Sequence, residues 1–501
     1  MKAATVGFKS DREFLRNVSI GAVGTRRVAA ILRQGGFRIA ELERYSSSNK
    51  IWATKIKRLR VPDLLCLDSG IRIECRAKAD LKITMSHSIN NADRAWDKGL
   101  RDHDMVAFIR CWPMDDAWKA SDRVALFRVG DMRSTWHLAK QERMKSASEG
   151  SEVRVTWSAT VANRAGTVLS VSPDSIKVQT SGGRQQSYRL SRESGSGPFT
   201  LNPHVNVGDP FGDGDTILAS ALPAMLPPLA SSSQRYDFLS DLESDSAESV
   251  YAAVKALGFL PELVAKSRSR LGRVMEHSQD GRIRLEAAAS LARLKCKEGW
   301  DSISRIVGDH DTAREYRMES ALILAEMPDR RSIDLLKSLL EDTSNDSELR
   351  AAGAWGLGDV LTDGEIGSLV AHVHDNDEAV AVHAILAISR LVRSDNLEAV
   401  LQNVGRDGRQ SAGLVRAVLL SKFDFVPEIV RLLRASSGQR RQWLLYNLAC
   451  RGRAACGQYL GVQSPKLLKE LDFFWTHQVE NWTNRLDVAD QIDFLRGQVL
   501  D

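Results

Sequence analysis

Asp63, Glu74, Arg76 and Lys78 are the residues whose types and spacing suit one piece of chemistry. Pro62-Asp63 heads an apolar run at 64–67, Asp68-Ser-Gly70 reads as a turn, and residues 71–78 read as a returning strand. Side chains alternate along a strand, so Glu74, Arg76 and Lys78 share one face. A short hairpin places Asp63 beside Glu74. Two adjacent carboxylates repel unless a divalent cation lies between them. Mg²⁺ or Mn²⁺ held there would polarise a phosphodiester and lower the pKa of a bound water. A cation from the second strand, Lys78 or Arg76, would orient that water or stabilise charge building up on phosphate. The expected chemistry is metal-dependent phosphodiester hydrolysis, with Asp63 and Glu74 as metal ligands. A plainer reading stays open, with Glu74 and Arg76 as an ion-paired strand face and Asp63 as a turn former.

The elements that must position these residues alternate helix and strand. A helix is expected over 10–34, with Gly21 and Gly24 as points where it would divide; its second piece ends at Gly35-Gly36. A strand or extension at 37–42, the hairpin, a helix at 91–100 and a strand at 105–111 follow. Pro62-Asp63, a gap of ten residues and Glu74-Cys75-Arg76 resemble the motif of the PD-(D/E)XK nuclease superfamily, and the resemblance covers about residues 10–130. It implies a restriction-endonuclease-like α/β fold, two metal-binding acids and a basic residue that assists the water. Glu41 or Glu43 would supply the further helix-borne acid that some members use. The sequence departs from the motif at Arg76, where the family has lysine. A guanidinium is a planar fork and not a compact ammonium. Either Lys78 takes the role, or Arg76 does, or binding alone remains.

Charge agrees with an anionic partner for this part. Residues 1–150 hold 29 Lys+Arg against 18 Asp+Glu, a net of +11, and the remainder holds 40 against 46, a net of −6. Lys55, Lys57, Arg58 and Arg60 form either a surface strand or a phosphate-contacting run. His87 and His103 have no orienting motif and read as surface residues. The six cysteines show no metal spacing and read mostly as buried thiols. No apolar run approaches the roughly 18 residues of a membrane span. The first residues, MKAATVGFKSDREFLR, lack a signal-peptide core, so a cytoplasmic protein is expected.

The C-terminal half repeats itself. Arg284, Arg317 and Arg350 each open a stretch rich in small residues, at separations 317−284 = 33 and 350−317 = 33; a fourth copy opens at Ala381, 381−350 = 31. A second amphipathic segment follows each copy, and Asp-containing turns separate the copies. One such unit cannot bury its apolar face alone, so a stacked helix-pair solenoid is expected. The pattern resembles HEAT repeats. Trp443, Phe473, Phe474, Trp475 and Trp482 read as a terminal cap. Residues 151–222 hold five short alternating runs, expected to form a small SH3-like β-barrel, and 223–248 read as a linker.

The expected architecture is multidomain, α/β then β then α: a nuclease-like domain at 1–150, a barrel at 151–222, a linker at 223–248 and a solenoid at 249–501. The expected function is a metal-dependent DNA endonuclease whose HEAT repeats bind DNA or a partner protein. By analogy of architecture alone it would serve bacterial restriction or phage defence. Two alternatives are a catalytically inactive nuclease fold that binds nucleic acid, and a HEAT-repeat scaffold for protein partners.

Overall fold

The computed structural model describes residues 12–476, apart from 44–51, 55–58, 60, 80–81, 93–94, 115–116, 144–151, 158, 163, 173–174, 190–198, 202–205, 214–215, 221–234, 363–365 and 422. The chain divides into two compact units. Among the described residues, one gathers 16–43 with 59–299; the other gathers 12–15 and 52–54 with 300–476. Among the described residues no helix is long and apolar enough to cross a membrane.

The first unit begins with α1 (Arg12–Gln34), one continuous helix rather than two pieces. Gly24 does not break it because Gly24 is where the helix meets the sheet. A Cβ there would lie 2.5 Å from the Ala77 Cβ. Burial against the strand outweighs the helix cost of glycine, about 1 kcal/mol.

Strands β1 (Ile39–Glu41), β2 (Leu64–Cys66), β3 (Arg72–Lys78), β5 (Met105–Met114) and β6 (Ala117–Arg128) form a mixed sheet in the order β1-β2-β3-β5-β6. β2 and β3 are antiparallel, with Leu64 opposite Ile73, and β3 runs parallel to β5, with Glu74 beside Val106. Parallel neighbours need a long crossover. The helix expected at 91–100 is not what fills it: residues 97–99 are turn, and the crossover carries the strand β4 (Ile83–Ser88). Trp96 is drawn from this stretch into a buried cluster, 5.6 Å edge-on to Trp157 and parallel to Trp136 at 6.4 Å. Non-local aromatic burial thus overrides helical periodicity.

One sheet face packs Ile39, Leu64, Ile73, Cys75 and Ile109 against α1. The other face is shared. Leu42 and Leu65 join residues of the helices α3 (Phe238–Asp241) and α4 (Ala247–Leu257), while Val106, Phe108 and Phe127 join Trp96 and Trp157. A short helix α2 (Val129–Ser134) follows β6. The part of the expected linker at 238–241 is therefore helical and packed.

The strands expected at 151–222 form, but no closed barrel does among the described residues. β8 (Glu152–Trp157) pairs with β4 and with β7 (Lys140–Arg143). β10 (Gly166–Val171), β11 (Ser175–Thr180), β12 (Gln185–Arg189) and β14 (Pro210–Phe211) form an open sheet, and β9 (Ala159–Val161), β13 (Phe199–Leu201) and β15 (Thr216–Ser220) a third. The barrel fails because its first strand is taken by β4, which buries Trp157. Five alternating runs specify strands; they do not specify which strands pair.

Helix pairs make up the rest. In the first unit α5 (Val264–His277) and α6 (Gly281–Arg293) follow α4, and α7 (Lys297–Gly308) spans the division. The second unit continues with α8 (Arg314–Leu324), α9 (Arg330–Glu341), α10 (Ser347–Val360), α11 (Gly367–His372), α12 (Glu378–Leu391), α13 (Leu397–Val400), α14 (Gly408–Leu419), α15 (Val426–Arg434), α16 (Gly438–Cys450), α17 (Arg453–Gln463) and α18 (Pro465–Thr476). Four of the turn aspartates are N-caps: Asp280, Asp346, Asp377 and Asp407 each accept a bond from a first-turn N–H. The small residues permit close helix packing; a Cβ at Gly353 would lie 2.9 Å from the Leu336 carbonyl oxygen of α9. The recurring arginines join neighbouring repeats. Arg317 donates to the Val307 and Asn345 oxygens, and Arg350 to Leu340 O and the Asp375 carboxylate. In the terminal helices the Trp475 indole donates to Ala449 O at 3.0 Å, whereas Phe473 is exposed. Trp482 lies outside the described residues.

Candidate functional site

The hairpin register carries the first site. The paired residues end at Leu64 opposite Ile73, with Asp63 just before β2 and Glu74 just after Ile73 in β3. Asp63 is tied into both neighbouring strands: its carbonyl accepts from Leu42 N at 2.8 Å, and its Oδ2 accepts from Cys75 N at 2.7 Å. Ile73 and Cys75 face α1, so by alternation Glu74, Arg76 and Lys78 stand on the opposite face. They lie between the helix-packed half of that face and the tryptophan-packed half. Arg76 Nη2 lies 2.7 Å from Glu74 Oε1, both side chains being partly buried. Burial disfavours the Arg76 charge, but Glu74, then Asp63, Cys75 and Glu43, hold its pKa above the ordinary value. Burial, then Asp63 and Glu74, push the Cys75 thiol well up and keep it an inert core group. Glu74, Asp63 and Glu43 thus all lie within electrostatic reach of Arg76, with Lys78 two residues along the same strand. Glu41 lies in β1, and Arg33 Nη2 is 3.7 Å from its carboxylate.

Hard oxygen donors of this kind fit Mg²⁺ or Mn²⁺ by type. Among the described residues, no group of three potential His, Cys, Asp or Glu ligands gathers around one point. Arg76 occupies a Glu74 oxygen that a cation would have to win. Lys55, Lys57, Arg58 and Arg60 lie outside the described residues. His103 is exposed, whereas His87 is half-buried edge-on to Trp136 at 5.0 Å. All six cysteines are free thiols and five are buried.

A second site, in the other unit, was not found from sequence. Trp52 is fully buried there. Its ring stacks on His383 of α12 (centroids 5.1 Å, planes 28° apart) and meets the edge of Trp355 of α10 at 6.1 Å. The next two backbone N–H groups, of Ala53 and Thr54, donate to the Glu348 carboxylate at 2.6 and 3.2 Å. Glu348 sits in the first turn of α10, where the helix dipole favours an anion. Arg314 of α8 holds it at 2.8 Å and reaches Asp346 at 2.7 Å. His383 Nδ1 lies 2.6 Å from Ala379 O, which only accepts, so that nitrogen carries a proton. One signal could have exposed the site: Trp355 and His383 are single large polar-edged residues in rows otherwise made of Ala, Gly and small aliphatics.

No curated protein sequence matches the chain. Among solved structures, the complex of CpcE and CpcF of phycocyanin lyase from Nostoc sp. PCC7120 aligns at 16% identity over 50% of this chain and 100% of that one, with a TM-score of 0.26. Human deoxyhypusine hydroxylase in complex with glycerol aligns at 17% identity over 44% and 99%, with a TM-score of 0.23. An engineered protein aligns at 18% identity over 36% and 93%, also at 0.23. Likenesses of that size do not define a fold. The helix pairs carry a closer one: residues 268–358 match the family model described as HEAT repeats, so this region of the chain is HEAT-like.

Proposed function

We propose that the chain is a HEAT-repeat scaffold that holds protein partners through its helix pairs. The observation that carries this reading is the run of arginine-linked, Asp-capped helix pairs, part of which matches the HEAT family. Stacked repeats spread a continuous surface over many residues, a form suited to extended partners. The test is in-cell cross-linking of the full chain, with cross-linked peptides mapped by mass spectrometry. Partner cross-links are expected to concentrate on residues 300–476. Partners linked only through residues 57–220 would sink the reading.

A second reading, metal-dependent cleavage of DNA, is supported by a separate observation: Asp63 Oδ2 accepts from Cys75 N at 2.7 Å, next to Glu74, whose Oε1 lies 2.7 Å from Arg76 Nη2. Asp63 and Glu74 would hold Mg²⁺ or Mn²⁺, which supplies Lewis acidity and an activated water. Arg76 or Lys78 would position the scissile phosphate. Arg76 Nη2, 2.7 Å from Glu74 Oε1, also holds that carboxylate in place. Supercoiled plasmid should be nicked or linearised by the full chain with Mg²⁺ or Mn²⁺. Asp63→Ala and Glu74→Ala should each lower the rate on the order of 10³-fold, the several kcal/mol a Lewis acid contributes. Lys78→Ala identifies the assisting cation: a large loss assigns the role to Lys78, no loss assigns it to Arg76. Cleavage that survives both acid substitutions would remove this reading.

A further inference from the structure

We propose that the Trp355–His383–Glu348 site is a peptide-recognition slot, and that Trp52-Ala53-Thr54 is a ligand supplied by the chain itself, displaced by a partner segment of the same chemistry. This inference rests on the scaffold reading and names the kind of partner that the repeats take.

The slot treats residues 52–54 as a receptor treats a bound peptide. Main-chain bonds hold the segment and one side-chain pocket selects it, the division of labour seen in peptide-recognition modules. Glu348 reads two successive N–H groups and is indifferent to the side chains at 53 and 54; Ala53 is in fact exposed. Selection therefore falls on the indole, which is enclosed by an aromatic edge and an imidazole face. Buried tryptophans of this kind dominate binding energies at interfaces. Three consecutive repeats contribute, through Arg314, Glu348 with Trp355, and His383, so the slot belongs to the stacked solenoid and not to one helix pair. The residues bound are not part of the repeat series. They are residues 52–54, far in sequence from the repeats that hold them. The ligand class is an extended peptide with tryptophan followed by two non-proline residues, since proline lacks the N–H that Glu348 requires.

A tethered ligand has an effective concentration on the order of millimolar. An external peptide of equal intrinsic affinity is therefore held off until the tethered segment is weakened. The probe is a fluorescently labelled synthetic peptide of residues 48–58, titrated by anisotropy against the full chain. Trp52→Ala should bind it roughly tenfold or more tighter than the wild type does, because the tethered competitor is lost. Adding Glu348→Gln to that variant should return binding to the wild-type level or below. A probe with alanine at its tryptophan should bind neither. Equal binding by wild type and Trp52→Ala, absence of binding by a folded Trp52→Ala chain, or indifference to Glu348→Gln would each overturn the proposal. If thermal melting shows that Trp52→Ala unfolds, Ala53→Pro decides by the same criteria: it removes one N–H from the tethered segment and leaves the slot intact. Loss of the proposal would leave partner cross-links on residues 300–476 unchanged, so the scaffold reading is tested independently.

Discussion

Asp104→Ala should destabilise the first unit by about 3–5 kcal/mol, the range for removing one partner of a buried ion pair. Asp104 is fully buried just before β5. It accepts from Arg72 N at 2.9 Å and Arg101 N at 2.7 Å, and the Arg101 guanidinium approaches it at 3.0 Å. Arg101 reaches on to the Tyr236 hydroxyl at 2.8 Å, which donates to Asp241, while Arg72 donates to Gly99 O and Ser249 Oγ. One carboxylate therefore holds the crossover between β3 and β5, and the arginines it orients reach the segment around α3 and α4. Its loss leaves two backbone N–H groups and a largely buried guanidinium without their acceptor, and each orphaned donor costs about 1–3 kcal/mol. Burial disfavours the Arg101 charge, but Asp104 holds its pKa above the ordinary value. Asp104→Asn keeps one acceptor oxygen and should lose roughly half as much. Urea unfolding followed by circular dichroism measures both; a loss below about 1 kcal/mol for the alanine would show that water replaces the carboxylate.

Arg350→Ala should have a comparable effect on the second unit, about 3–5 kcal/mol. Arg350 grips Asp375 with two nitrogens, at 3.2 and 2.5 Å, and both side chains are about one-tenth exposed. Arg317 makes the corresponding link, but its partners, Val307 O and Asn345 Oδ1, are neutral. Arg317→Ala leaves no charge behind and should cost less, about 1–3 kcal/mol. The ordering of the two variants by denaturant midpoint checks the argument. It also has a pH signature. Burial would raise the Asp375 pKa, but the bond from Arg350, then the Asp377 amide, hold it below its ordinary 3.8. A depressed carboxylate pKa stabilises the fold above the unfolded-state value and loses that contribution as pH falls through the folded one. In Arg350→Ala burial acts with less opposition, so the acid-unfolding midpoint should move to higher pH. An unchanged midpoint would mean that Asp375 is already solvated.

The repeats were legible because a solenoid's contacts are to the next repeat in sequence, so the spacing of Arg284, Arg317 and Arg350 already encodes who touches whom. The β2–β3 hairpin, with Leu64 opposite Ile73, was legible for a similar reason: a three-residue turn between two short apolar runs leaves few registers. The sequence by itself therefore determined the helix pairs, the Asp-containing turns between them and one strand face bearing Glu74, Arg76 and Lys78. Tertiary structure alone decided the rest, since the deciding partners lie far along the chain. Ala77 keeps α1 whole at Gly24, Trp157 removes β8 from the expected barrel, and Trp136 and Trp157 draw Trp96 out of the expected helix. Trp52 finds Trp355 and His383 some three hundred residues away. Periodicity records which side of an element is apolar; which distant surface covers that side depends on shape complementarity, which no local pattern contains.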